Sequence, residues 1–308
     1  MISHVGYDQA MSRAGRTILV VASGFAVTVL AAGPIEGSTP CSPLPVVEHA
    51  AATPASAPTD SALTIASVNI AGKAAISDAL DALSRQRDID ILLLQEVGDR
   101  SMDGAEFTAQ LANRLGYHAA YAPADRLDGP ATQGLAILSR TKLDDVQLYA
   151  LPYHQLRFRS RCRIALEATV ATPSGPVRVV NVHLDTRINS EDRVAQLAPI
   201  FDRLDRLEIA QIIGGDFNTM PVHWFRSMWP LPWIRHQAEA VAERMNADGF
   251  HTPFNHHRAT LKLIGLPIHL DWVYVKRLQA VDWCVKSVPL SDHRGIWIRV
   301  RSAAPDVR

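Results

Sequence analysis

The sequence predicts an α/β protein in which mixed sheets are covered by helices. Three observations carry this expectation: short apolar strands alternate with amphipathic helical stretches from Leu63 onward, Pro173-Ser174-Gly175-Pro176 separates two apolar runs as a hairpin turn would, and strand after strand ends in a polar cluster. Hairpins alongside helical crossovers require strands running both ways, hence mixed sheets. With 47% hydrophobic and 20% charged residues in 308, there is apolar material for a large core. The formal net charge is zero, so charge neither advertises nor excludes nucleic acid as partner.

Taken in order, the chain opens with an apolar run at residues 17–32, preceded by Arg13 and Arg16. A basic flank, a short apolar centre and small residues after it form a secretory signal. The run is shorter than the roughly 20 residues that span a bilayer. Val29-Leu30-Ala31 would suit cleavage before Ala32, and an uncleaved anchor is the alternative. Residues 1–33 are therefore expected to be a signal peptide or membrane anchor, directing the protein to the periplasm or beyond. Residues 34–61, rich in Pro, Ala, Ser and Thr, cannot bury enough apolar surface to order themselves and are expected to be a disordered linker. The folded domain is expected over 62–302, with 303–308 as a tail.

Within that domain, LTIASVNI reads as a strand, then residues 76–87 as a helix with Ile76, Leu80 and Leu83 on one face. ILLLQEV is a strand, followed by a helix over roughly 104–115 and strands at HAAYAPA and GLAILSR. CRIALEATV and VRVVNVHLD flank the hairpin turn. Ser190, Glu191 and Asp192 open a helix running to about Leu207, the acids suiting its first turn. QIIGGDF is a strand, a helix lies near 238–247, and HLDWVYV, VDWCVKSV and GIWIRVR are strand-like. The cysteines Cys41, Cys162 and Cys284 lack metal-site spacing. With Cys41 in the linker, Cys162–Cys284 is the pairing to consider within the folded part.

The polar strand ends are Asn69, Gln95-Glu96, Asn181 and His183, Asp216 and Asn218, Asp271, and Asp292-His293. Such ends are where α/β enzymes gather catalytic groups, because the sheet is rigid and the loops beyond it open. Singly, each has a plainer explanation. Asn69 suits a turn, Glu96 a solvated strand end, and His183 a hydrogen-bonded core histidine. Asp271, between Leu270 and Trp272, is harder to dismiss, since a carboxylate among apolar residues needs a cation or donor. The plain explanations must hold at every site at once.

The inventory also suits one chemistry. Cleaving a phosphate ester needs an aligned water, a proton acceptor and positive charge around the phosphoryl oxygens. Carboxylates with a carboxamide are hard donors suited to Mg²⁺, Mn²⁺ or Ca²⁺. Two histidines can donate to non-bridging oxygens, and a carboxylate beside one keeps it oriented and charged. A lone Asp can accept the proton of the water.

In order, SVNI, LLLQEV, GLAILSR, VVNVHLD, GGDFNT, HLDWVYV and SDHRGIW resemble the endonuclease/exonuclease/phosphatase superfamily over about Leu63 to Val300. The resemblance implies a four-layer α/β sandwich, DNase I-like, with two mixed sheets packed face to face and helices outside. It implies that Glu96 and Asn69 hold a metal with Asp292 near it, and that His183 binds the scissile phosphate. Asp216 would be the base, Asn218 would place phosphate and nucleophile, and His293 would contact phosphate with Asp271 as its partner. Two positions depart from the family pattern: Ala71 stands where some nucleases carry an acid, and Gln133 aligns where some members place a carboxylate behind the first histidine.

Two segments bear on substrate. LRFRSRCR would put Arg157, Arg159, Arg161 and Arg163 on one face of a strand, able to track a phosphate backbone or anionic head group, or to guard a solvated edge. HWFRSMWPLPWIRH, with Trp224, Phe225, Trp229 and Trp233, would dip into a membrane, stack on bases, or pack a loop onto the sheet. The favoured expectation is a monomeric extracytoplasmic metal phosphodiesterase or nuclease. Its alternatives are a lipid-directed phosphoesterase of the sphingomyelinase or phosphoinositide-phosphatase kind, and a non-catalytic binding module on the same fold.

Overall fold

Period-2 burial along the strands builds two sheets, each with one face turned to the other. The computed structural model describes residues 41, 44–58, 60–127, 131–156, 160–232, 237–255, 258–262 and 268–303. The chain divides into Met1–Thr39 and Pro40–Arg308, and every described residue lies in the second unit. The expected export segment and the tail from residue 304 lie outside the described residues, as do Arg157, Arg159 and Trp233. Among the described residues, no helix is long and apolar enough to cross a membrane.

The elements are β1 (Val47–His49), β2 (Leu63–Asn69), α1 (Ser77–Arg87), β3 (Ile91–Val97), α2 (Gly104–Leu115), β4 (His118–Arg126), β5 (Thr132–Ser139), β6 (Leu143–Ala150), β7 (Ile164–Thr172) and β8 (Gly175–His183). They continue with α3 (Ser190–Leu204), β9 (Ala210–Asp216), β10 (Val222–Phe225), β11 (Trp229–Pro232), α4 (Gln237–Ala247), β12 (Asp271–Lys276), β13 (Leu278–Ser287) and β14 (Arg294–Ser302). Beside a two-stranded β10-β11 ribbon, the two large sheets have the orders β1-β4-β5-β3-β2-β14-β13 and β12-β9-β8-β7-β6. Each contains one parallel pair, β2 with β3 and β8 with β9, and is otherwise antiparallel. Both are mixed, as expected.

Alternation assigns the faces. Ile65 and Leu93 belong to the core shared with Val180, Val182 and Ile213 of the second sheet. Ala66, Val68, Leu92 and Leu94 instead pack with Phe107 and Leu111 of α2. On the second sheet, Leu197, Ile200, Phe201 and Leu204 of α3 complete the buried cluster. The layers are thus helix, sheet, sheet, helix. Between the sheets Gly214 supplies room for Leu93, since a Cβ there would lie 2.8 Å from Leu93 Cδ1. The hairpin forms as expected, with Thr172 opposite Gly175 across Pro173-Ser174.

Three expectations are corrected. Within the expected linker, Val47–His49 pairs antiparallel with β4, and Ala55 N–H donates to Gly116 O at 2.8 Å. Composition reports side-chain burial, whereas this stretch is held by backbone pairing together with a few side chains such as Val46, His49 and Ala55. Second, the bridge is Cys41–Cys162, and Cys284 is free. Cys284 sits on β13 of the seven-stranded sheet, whereas Cys162 precedes β7 of the five-stranded one. Third, LRFRSRCR is not a strand in its described part: β7 begins only at Ile164, so Arg161 and Arg163 lie in the loop before it.

Candidate active site

Topology decides where the polar strand ends meet. The parallel pairs β2/β3 and β8/β9 deliver Asn69, Glu96, His183 and Asp216 from their C-terminal ends. Strand β12 runs antiparallel to β9 with Asp271 directly opposite Asp216, so its first residue arrives at the same rim. Strand β14 is antiparallel to β2, which brings in His293 just before its start.

Two of these side chains are aimed by backbone that L-residues rarely adopt. Alternation would turn Gln95 and Glu96 to opposite faces. The register between β3 and β5 slips between Leu94 and Val97, and Glu96 has φ of 54°. The bulge brings Glu96 to the same site as its inward neighbours. Gln95 stays buried, donating to Ser67 Oγ at 3.1 Å and Asn181 Oδ1 at 2.8 Å, and so ties the two sheets together beneath the site. Asn218 has φ of 52°, donates its backbone N–H to Asp216 Oδ1 at 2.9 Å, and donates Nδ2 to Leu184 O at 2.9 Å. Strain of this kind clusters at functional sites.

The resulting constellation is tight. Asn69 Nδ2 donates to Asp216 Oδ2 at 3.0 Å and Glu96 Oε1 at 3.2 Å. His183 Nε2 is 3.6 Å from Asp216 Oδ2 and 4.0 Å from Glu96 Oε1. His293 Nε2 is 3.9 Å from the same Asp216 oxygen, and its Nδ1 is 2.8 Å from Asp271 Oδ2. Asp271 is held in turn by Thr260 Oγ1, which accepts from the Leu270 and Asp271 backbone N–H groups. Ser291 Oγ donates to Asn69 O and accepts from His293 N, joining the ends of β2 and β14.

Burial separates the titrating groups. His183 is pushed well below the usual imidazole range by burial, and then by the charges of Arg163 and His293, so it is neutral. For His293 burial also favours the neutral ring, but the Asp271 carboxylate outweighs it and raises the group to about 10. His293 is therefore an imidazolium whose Nδ1–H is fixed on Asp271. Asp216 is raised to about 7 by burial and by the facing Asp271 charge, which leaves a carboxylate able to take a proton near neutrality.

Glu96, His183, Asp216, Asn218 and His293 line a cleft of about 470 Å³ that also includes Arg161, Arg163, Thr186, Arg187, Met220, Trp224, Leu261 and Leu270. That volume suits a small-molecule or nucleotide-sized group. Asp292 differs from the other expected residues. It is exposed, its backbone carbonyl accepts from Lys262 N, and its charge acts on His293 from outside the buried cluster.

The donors fit a hard divalent cation. Carboxylates of Glu96 and Asp216 bracket the Asn69 carboxamide, and half-buried Glu96 opens onto the cleft. Asn69 Oδ1 accepts from Ala71 N at 2.9 Å, which leaves its second lone pair. Asp271 Oδ1 is buried without a hydrogen-bond partner among the described residues. Asp216, Asp271 and His293 offer atoms within 4.8 Å of one another, but the hydrogen bond between Asp271 Oδ2 and His293 Nδ1 already engages two of the three.

Sequence reasoning missed the residues supporting the site. Arg193 of α3 is fully buried and donates to Asp185 O, Phe217 O, Ile188 O and Gln237 Oε1. It clamps the loops after β8 and β9 to the start of α4. An arginine inside a helix ordinarily signals a solvated face, and no spacing distinguishes this one. Gln133, aligned behind the first histidine, instead donates to Gly98 O and accepts from Arg161 Nη1.

Two facing mixed sheets, with carboxylates, carboxamides and a carboxylate-held imidazolium gathered on one rim, define the phosphoesterase class of α/β sandwich. The chain belongs to the Endonuclease/Exonuclease/phosphatase family, whose sequence profile matches residues 66–293. Among solved structures it is similar to an endonuclease/exonuclease/phosphatase from Beutenbergia cavernae, at 18% identity and TM-score 0.63, covering 80% of this chain and 73% of that one. It is also similar to the human Nocturnin catalytic domain with bound sulfate, at 17% identity and TM-score 0.60, covering 84% and 97%. A third likeness is to ANGEL2, described as a 2′,3′-cyclic phosphatase, at 15% identity and TM-score 0.56, covering 78% and 95%. No curated protein matches the chain in sequence. The solved structures share its fold.

Proposed function

We propose that the chain is a divalent-metal-dependent hydrolase of phosphate esters, most simply a phosphodiesterase or nuclease, acting outside the cytoplasm. The observation that carries this reading is the buried contact of Asp216 with Asn69, beside His183 and the His293–Asp271 pair, at the mouth of a cleft. A Mg²⁺, Mn²⁺ or Ca²⁺ ion, held by Glu96 and Asn69, would balance charge on the phosphoryl oxygens. The protein's own groups do the rest. His293 donates Nε2–H to a non-bridging oxygen, and Asp271 keeps that proton aimed. His183, neutral, positions the phosphate through Nε2. Asp216 is oriented by the Asn218 and Asn69 N–H groups and accepts the proton of water attacking in line with the leaving oxygen. Export is supported by the N-terminal apolar run and by the Cys41–Cys162 bridge, since disulfides persist in oxidising compartments.

A screen of DNA, RNA, phospholipids, inositol phosphates and simple diesters, with each metal and with EDTA, tests the proposal. EDTA-sensitive turnover that falls at least a hundredfold in His183→Ala and His293→Ala, with melting temperatures near wild type, is expected. Wild-type rates in either variant would remove that histidine from the phosphate contacts. Glu96→Gln should shift the metal titration to higher concentration.

The β10–β11 hairpin favours a second, lipid-directed reading. Phe225, Trp229 and Leu231 are exposed on it, and Trp224 of the same hairpin lines the cleft. Release of phosphocholine or inorganic phosphate from vesicles, with plasmid DNA left intact, would select this reading.

A further inference from the structure

The loop entering β7 carries Arg161, Cys162 and Arg163 in succession, and both arginines line the cleft beside His183. Their charges are not equivalent. Arg163 is buried and its Nε donates to Asp185 Oδ1 at 3.0 Å, with Asp185 held in turn by Gln196. Its charge is already matched. Arg161 Nη1 donates to the neutral Gln133 Oε1 at 2.8 Å, and among the described residues no carboxylate stands within ion-pair distance of it. The Asp125 carboxylate acts on Arg161 from beyond ion-pair distance, so unlike Arg163 it keeps charge for a ligand in the cleft.

Neither helix nor sheet fixes this stretch. Besides the side-chain contacts to Asp185 and Gln133, its ties are Leu151 N to Arg163 O at 2.9 Å, Cys162 N to Asp125 Oδ1 at 3.2 Å, and the covalent bond from Cys162 to Cys41. The one covalent tie sits next to the unmatched arginine. We propose that Arg161 binds a second phosphate on the substrate, beside the scissile one, and that the Cys41–Cys162 disulfide is the positioning element that holds Arg161 there. The inference rests on the phosphoesterase reading and adds to it a substrate class, molecules with two neighbouring phosphates, such as a 5′-phosphorylated dinucleotide or an inositol bisphosphate.

The test compares the oxidised full-length protein with Cys41→Ser and with Arg161→Ala, which keeps the bridge. Calorimetry with orthophosphate and pyrophosphate reads binding without turnover. Wild type should prefer pyrophosphate by about tenfold, the value of one charge-assisted hydrogen bond, and both variants should lose that preference while keeping their orthophosphate affinity. In kinetics, KM for the phosphorylated dinucleotide or the inositol bisphosphate should rise about tenfold in both variants at unchanged kcat, and the arm that responds identifies the source of the phosphates. The Cys41→Ser variant should hydrolyse bis(4-nitrophenyl) phosphate as wild type does. No pyrophosphate preference in wild type, or its survival in both variants, overturns the inference. An equal loss on mono- and bis-phosphate substrates in Cys41→Ser also overturns it, because the bridge would then be merely structural. Disulfide-dependent pyrophosphate binding without hydrolysis of any ester would instead fault the phosphoesterase reading alone.

Discussion

Asp216 and Asp271 face each other across β9 and β12, an arrangement that costs stability unless something offsets the paired charge. The structure provides two offsets. His293 sits on Asp271 as an imidazolium, and Asp216, raised to about 7, gives up its charge most readily. The role of Asp271 is thus to keep His293 protonated and pointed, which Asn at the same position cannot do. Asp271→Asn is expected to lower turnover by roughly 10²–10⁴-fold, the usual value of a positioned proton donor. Binding of orthophosphate should weaken with it, since the donor is lost in the ground state as well. Steady-state kinetics with a melting curve check this. A variant that melts as wild type yet turns over within a few fold of it would show that His293 needs no carboxylate. At this scale most of the site was legible, because Asn69, His183, Asp216, Asn218, Asp271 and His293 all stand at ends of apolar strands. Glu96 was legible by type and not by direction. Period-2 reasoning sends it away from Gln95, and only the bulge brings it back.

Elements carry the site by being fastened to one another, and the fastenings are polar. Arg193 has its guanidinium buried in α3; burial lowers its proton affinity to about 9, still charged at neutrality, and backbone carbonyls from two loops satisfy it. Arg193→Met preserves helix propensity and volume but leaves those carbonyls unpaired in the interior. A loss of about 3 kcal/mol or more in urea unfolding is expected, with kcat falling as the loops after β8 and β9 drift. A loss under about 1 kcal/mol would show that water replaces the clamp. Asp90, at the entry to β3, offers a test with the opposite sign. It accepts from Thr64 N at 2.8 Å and lies 3.6 Å from Arg140, yet burial dominates and raises it to about 6. Its folded value lies above the ordinary 3.8, so the unfolded chain ionises first as pH rises. The carboxylate therefore costs stability progressively between about pH 4 and 6, and the cost is constant above that. Asp90→Asn should match wild type near pH 3.5 and gain on it up to pH 6 in denaturant titrations. A difference independent of pH would mean Asp90 is not desolvated in solution. The helices and central strands that frame these residues were legible from apolar periodicity. Strands β1, β6, β10 and β11 were not, because they are short or edge strands with exposed side chains and are held by backbone pairing.

For the whole molecule the decisive constraint joins the segment before β1 to the entrance of β7, closing a loop of 121 residues across both sheets. Sequence could not find it. Cys41 lies in a stretch whose composition resembles a linker, and pairing depends on which Cα atoms the fold brings together, here 5.5 Å apart. The consequence for stability follows from loop length. Holding two such distant positions together removes chain entropy from the unfolded state, and a natural bridge of this span is worth about 2–5 kcal/mol. Reduction of the folded protein should therefore lower its urea midpoint, and Cys41→Ser should reproduce the shift without reductant. Cys284, half-buried on β13 with its thiol raised by burial, takes no part. Cys284→Ser should leave both the midpoint and its sensitivity to reductant unchanged. If reduction leaves the midpoint where it was while Cys41→Ser lowers it, the loss comes from packing around Cys41, and the bridge contributes no entropy term. If instead Cys284→Ser abolishes the response to reductant, the pairing in solution is the one between the two sheets, and the entrance to β7 is free to move.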